Sequence, residues 1–217
     1  MTNYGLAIHT ASASLGLAIN NFSGDSRTQV WDLGRETSNL LHQYLIDFLK
    51  PQTWADLSFL AVAKGPGGFT GTRIGVVTAR TLAQQLELPL FAVSTLAGIA
   101  WCAAKTTDTT DIAVQMRAQR GEVFGAVYRI SKFDGDGGGD RLQAELPDAV
   151  MALEQWQQTL ATWTTPYQLV EADPQIAASV ADLLELAWLD YQQGQRPHWS
   201  EALPFYGQHP VETGHRG

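Results

Sequence analysis

Lys64-Gly65-Pro66-Gly67-Gly68-Phe69-Thr70-Gly71-Thr72-Arg73-Ile74-Gly75 decides how this chain is read. Four glycines and a proline fall within seven residues, between an apolar run at 59–63 and a helical pattern at 74–86. A strand, glycine loop and helix in that order aim backbone N–H groups and the helix dipole at one spot, as an anion site requires. The lysine of a Walker loop is absent, because Gly71 is followed by Thr72-Arg73. The dinucleotide pattern fails as well, since Thr70 stands where its third glycine belongs. Weak anion or nucleotide contact at Gly65, Gly67, Gly68, Thr70 and Gly71 therefore competes with a packing role, in which glycines let a strand turn sharply into a closely packed helix. The packing reading is preferred. Gly71, Gly75, Ala79 and Ala83 recur every four residues and form a stripe of small side chains, with Ile74, Val77, Leu82 and Leu86 beside it. So much small and apolar surface predicts two partners for this helix, its own sheet and a neighbouring helix or subunit.

Outward from the loop, residues 5–8, 15–19 and 29–33 read as three strands. Ser38 caps a helix ended by Pro51, residues 59–63 and 90–93 are strands, and Ser94-Thr95 opens a helix through Trp101. A looser version of the same order follows, with strands at 111–116, 123–130 and 141–145, a helix at 148–160, a strand at 167–170 and a helix at 174–193. Antiparallel strands followed by β-α-β-α is the ribonuclease-H-like order. Two in tandem predict an actin-like (ASKHA) α/β fold, divided into 1–105 and 106–217, the second part ending in an extended tail. The helix at 39–50 has an apolar arc of Leu41, Tyr44, Leu45, Ile46, Phe48 and Leu49, wider than one core face needs. Its excess points to another chain, or to a place between two layers of its own protein.

At 217 residues, 45% hydrophobic and 17% charged, the composition is globular. No apolar run approaches membrane-spanning length, and no secretory pattern opens the sequence, so cytoplasm is the expectation. The one cysteine, Cys102, reads as a small buried helix residue. Net charge is −8, all of the excess lying after residue 100, and no basic stripe of an autonomous nucleic-acid binder is visible. The run Asp134-Gly-Asp136-Gly-Gly-Gly-Asp140 reads as an acidic turn, because Gly138 occupies a calcium-ligand position. His9, His42, His198, His209 and His215 show no metal-ligand spacing.

The segment at 62–75 resembles the Gly-Pro-Gly-Ser-Phe-Thr-Gly-Leu-Arg-Ile-Gly signature of the TsaB family, also called YeaZ. Arg120-Gly-Glu-Val-Phe124 and Pro204-Phe-Tyr206 are similar to two further segments of that family. The resemblance implies a non-catalytic scaffold in bacterial tRNA threonylcarbamoyladenosine synthesis, without a metal or cofactor of its own. It would bind a TsaD-like catalytic subunit, joined by a TsaE-like ATPase, with ATP and metal confined to that complex, and it would form a homodimer when alone. It also implies that the first two helices pair across the interface, through Leu41, Leu45, Ile46, Leu49, Thr72, Gly75, Thr78, Ala79 and Leu82. Leucine at Gly75 or Ala79 is then expected to abolish pairing in a monomer that still folds. Contact with tRNA is expected to be indirect. Where actin-like ATPases and many family members carry aspartates, this chain has His9 and Arg117, which removes oxygen ligands for a Mg²⁺-nucleotide. The alternative is a nucleotide-binding enzyme of the actin/sugar-kinase class, with His9, Thr10, Gly67 and Gly68 around the phosphates.

Overall fold

The computed structural model describes residues 4–107, 109–133 and 139–207. The acidic turn centred on 134–138, together with His209 and His215, lies outside them.

Strands β1 (Tyr4–His9), β2 (Ser14–Asn20), β3 (Ser26–Asp32), β4 (Leu57–Ala63) and β5 (Leu90–Val93) form one sheet in the order β3-β2-β1-β4-β5. β2 runs antiparallel to β1 and β3, whereas β4 is parallel to β1 and β5. β6 (Asp111–Arg117), β7 (Glu122–Phe133), β8 (Gly139–Ala152) and β9 (Tyr167–Glu171) repeat the order of the first four strands, as β8-β7-β6-β9. Each sheet has the ribonuclease-H-like arrangement, and two in tandem make the fold actin-like, as the element order predicts.

The helices complete a layered stack. α1 (Thr37–Leu49) and α2 (Phe69–Leu86) cover one face of the first sheet, packing Leu41, Leu45, Val76 and Ala79 on Leu6, Ile8, Leu17 and Leu60. α5 (Val180–Gln192) covers the opposite face, on Ala7, Ala18, Phe59 and Ala61. α3 (Thr95–Ala104) packs on Ile112, Val114 and Ala126 of the second sheet, and α4 (Leu153–Ala161) covers that sheet's other side with Trp156. The sheets thus lie on either side of residue 105, while α3 and α5 cross between the halves. These two helices meet where a Cβ on Gly98 would stand 2.9 Å from Leu183 Cδ2.

Three local expectations are corrected. Ser38 does not cap α1, which starts two residues earlier than expected, at Thr37, whose hydroxyl donates to the Gly34 carbonyl. Residues 148–152 extend β8 and do not begin a helix, because Val150 and Met151 pair with Phe124 and Val123 across the hairpin. Pro147 and Asp148 oppose Ala126 alone, a bulge on an edge strand where a proline is tolerated. The last long helix is a 3-10 turn, Ile176–Ser179, followed by α5. Among the described residues no helix is long and apolar enough to cross a membrane.

Candidate functional site

At Gly65, Gly67 and Gly71 the glycine loop is filled by protein, while Gly68 is exposed. A Cβ on Gly67 would lie 2.3 Å from the Ala11 carbonyl oxygen, one on Gly71 2.1 Å from the Thr10 carbonyl oxygen, and one on Gly75 2.2 Å from Thr10 Oγ1. The Gly68 N–H donates to the Ala11 carbonyl at 2.7 Å, and the Thr10 hydroxyl donates to the Gly71 carbonyl at 2.7 Å. The small residues therefore admit the turn between β1 and β2 against the start of α2. Gly65, at φ +98°, has its Cβ direction facing the Phe205 carbonyl at 2.6 Å, so the C-terminal segment closes the loop's other side. Thr70 is exposed at the start of α2.

Beside this loop a cleft of about 800 Å³ opens at the carboxyl ends of β1, β4, β6 and β9, the position at which open α/β sheets bind ligands. Ser12, Gly68, Arg117, Phe124, Glu171 and Asp173 are among its lining residues. The Arg117 guanidinium lies 3.7 Å from the Glu171 carboxylate, with both side chains largely in solvent. His9 sits behind the cleft, fully buried, with the Ala11 N–H donating to its Nδ1 at 3.3 Å. Burial lowers its pKa to about 3, so the ring is neutral. The two positions where actin-like ATPases carry aspartates offer no anionic oxygen to the metal of a Mg²⁺-nucleotide: His9 is a buried neutral imidazole, and Arg117 is a cation beside Glu171. Among the described residues no group of three His, Cys, Asp or Glu side chains is placed to hold a metal ion.

The helix residues expected at a partner interface mostly face inward. Leu41, Leu45, Leu49, Thr72, Gly75, Thr78 and Ala79 are buried within the chain itself, and Leu82 is half-buried against the same core. Their apolar arc and small-residue stripe serve the first sheet and Thr10. Leucine at Gly75 or Ala79 would consequently disrupt the subunit's own fold, contrary to the expectation of a folded monomer. Of the expected set, Ile46 is outward, 49% exposed. The outer face of the helix pair consists of Ile46 with Phe69 (38% exposed), Arg73, Val77 (60% exposed), Thr81 and Gln84. Spacings of three and four residues place these α2 positions on one stripe, so they were readable once the buried side of the helix was known.

Sequence reasoning missed an inter-sheet cluster. Asp148, set in the β8 bulge, accepts hydrogen bonds from the Ser94 and Tyr128 hydroxyls. Ser94 also caps α3, accepting from the Leu96 and Ala97 N–H groups. Burial pushes the Asp148 carboxyl up, and burial followed by the neighbouring Asp148 charge pushes the Tyr128 phenol up. Contacts this distant in sequence leave no local pattern. The C-terminal segment lies against the body: Phe205 N–H donates to the Lys64 carbonyl at 2.7 Å, Phe205 meets Phe124, and Tyr206 packs on Phe69 with ring centroids 4.8 Å apart. Cys102, expected to be buried, is exposed, with Asp182 close enough to help raise its thiol pKa after desolvation.

The family model described as "TsaD: tRNA N6-adenosine threonylcarbamoyltransferase" matches residues 44–159, just over half of the chain. The chain is 32% identical over 162 residues to the tRNA threonylcarbamoyladenosine biosynthesis protein TsaB of Escherichia coli (strain K12), covering 74% of this chain and 69% of that protein. It is 33% identical over 160 residues to the protein of the same name from Bacillus subtilis (strain 168), covering 71% of this chain and 65% of that one. Among solved structures, YeaZ from Pseudomonas aeruginosa superposes with a TM-score of 0.71 at 22% identity, over 94% of this chain and all of that one. A second Pseudomonas aeruginosa structure, of an uncharacterized protein with similarity to peptidase YEAZ, reaches 0.74 at 22% identity over 95% of this chain and all of that one. At that identity the structures speak for the fold, while the sequence matches speak for kinship: this chain belongs to the TsaB (YeaZ) family.

Proposed function

We propose that this chain acts in tRNA threonylcarbamoyladenosine biosynthesis as a scaffold without a reaction of its own, pairing through the outer face of α1 and α2 with a TsaD-type catalytic subunit. The observation that carries this reading is the outward row of Ile46, Phe69 and Val77 on two helices whose other sides are already packed on the sheet. Exposed apolar side chains aligned on rigid helices suit helix-to-helix docking, in which an apolar seam is covered by a partner. The glycine loop sets the entry of α2 by receiving the β1–β2 turn, so its role here is to fix the docking helix. ATP and metal belong to the catalytic complex, which a TsaE-type ATPase joins, and tRNA is contacted through the partners. The chain forms a homodimer when alone, and it works in the cytoplasm.

The alternative, a nucleotide-binding enzyme of the actin/sugar-kinase class, is favoured by one observation, the 800 Å³ cleft at the strand ends. Depleting the chain in its own cell and measuring threonylcarbamoyladenosine in digested tRNA separates the two, with ATP turnover by the purified chain assayed in parallel. Loss of the modified nucleoside, without turnover by the lone chain, supports the scaffold. Unchanged nucleoside with robust turnover contradicts it.

A further inference from the structure

The outer face of the helix pair carries positive charge that no carboxylate of α2 balances. α2 contains two arginines, Arg73 and Arg80, and no carboxylate, in a chain of net charge −8. Both guanidiniums are held in place by rings: Arg73 lies over Phe69, 5.3 Å from its centroid, and Arg80 over Trp199, 5.8 Å from its centroid. Stacking of this kind costs little further entropy when a partner's carboxylate arrives. Asp47, the one acidic residue of α1, is already engaged, 2.9 Å from Lys50 Nζ and accepting from Gln43 Nε2 at 2.6 Å. A two-fold contact sets the same patch against itself. In an antiparallel α2–α2 contact centred on Val77, Arg73 of one copy falls beside Arg80 of the other. In a parallel contact each arginine meets its own counterpart.

We propose that this face selects a helix of a different chain, one with an apolar seam flanked by carboxylates opposite Arg73 and Arg80, over a second copy of this chain. The inference rests on the scaffold reading and adds the residues that choose between partners. Apolar Ile46 and Val77 serve either occupant, whereas the arginines attract the acidic helix and repel another copy.

The test is sedimentation of the full chain, alone and with its organism's TsaD-type subunit, for wild type, Arg73→Glu, Arg73→Ala and the neutral double variant Ile46→Asn/Val77→Asn. Arg73→Glu is expected to weaken the mixed complex roughly tenfold while leaving self-association unchanged or tighter, with Arg73→Ala between. Raising salt from about 0.05 M to about 0.5 M is expected to weaken the mixed complex and strengthen self-association. If the double variant breaks both contacts but Arg73→Glu weakens both equally, or spares the mixed complex, the selective role is overturned and the scaffold face stands. If the double variant leaves both contacts at wild-type strength, the scaffold face itself is overturned.

Discussion

His9→Asn makes a stability difference that changes with pH in a calculable direction. The imidazole is fully buried, and its pKa falls to about 3 from an ordinary value of 6.5. Between those values the unfolded chain binds a proton that the folded chain does not, so stability drops as pH falls through 6.5. At about pH 5.5 the unfolded imidazole is protonated roughly ten to one, which costs the folded state about 1.4 kcal/mol relative to about pH 8. Asparagine can present its amide oxygen to the Ala11 N–H that His9 Nδ1 now accepts, and it does not titrate. Whatever packing the substitution loses is the same at both pH values and cancels in the comparison. Urea unfolding at about pH 8 and about pH 5.5 should therefore show the variant gaining about 1.4 kcal/mol on the wild type as the solution is acidified. A gap constant to within about 0.3 kcal/mol would refute a buried neutral His9, and with it the case against a charged group behind the cleft.

Gly71→Ala brings a Cβ to 2.1 Å from the Thr10 carbonyl, a backbone atom that cannot swing aside. The clash, about 1–3 kcal/mol, outweighs the helix-propensity gain of under about 1 kcal/mol, so the melting temperature should fall. Asp111→Asn removes the carboxylate that the Arg129 guanidinium grips at 2.7 and 2.9 Å and that the Trp163 indole N–H also reaches. The Arg129 hydrogen bonds hold the Asp111 pKa below the usual carboxylate range, so its stabilisation is present above the unfolded pKa and lost as pH falls through the folded one. The variant should accordingly unfold at lower urea than wild type near neutral pH, with the difference shrinking in acid.

In the first sheet β1, β2, β4 and β5 are legible because they are short apolar runs bounded by loop residues, and α3 because Ser94 announces it through its capping role. The glycine loop is legible as a packing device, but not the identity of what packs there. Thr10 and Gly71 are far apart in sequence, and nothing local records that a hydroxyl and a carbonyl will meet. The apolar arc of α1 is visible in the sequence, but periodicity measures its width and does not say whether sheet or partner covers it, and the sheet buries Leu41 and Leu45. Residues 148–152 looked helical because Ala-Val-Met-Ala suits either state, and only pairing with β7 makes it strand. The return of α5 to the first sheet is likewise set by tertiary packing alone.

Light-scattering mass of the chain mixed with its TsaD-type subunit, for wild type and for Ile46→Asn/Val77→Asn, tests the central claim most directly. Burial of the two side chains should contribute about 1.5 kcal/mol or more each, so losing both is expected to weaken the pair by about 100-fold or more. The account predicts a one-to-one complex for wild type and two separate, folded proteins for the double variant. A double variant that binds as tightly as wild type, or a wild-type chain that ignores the catalytic subunit, would contradict it.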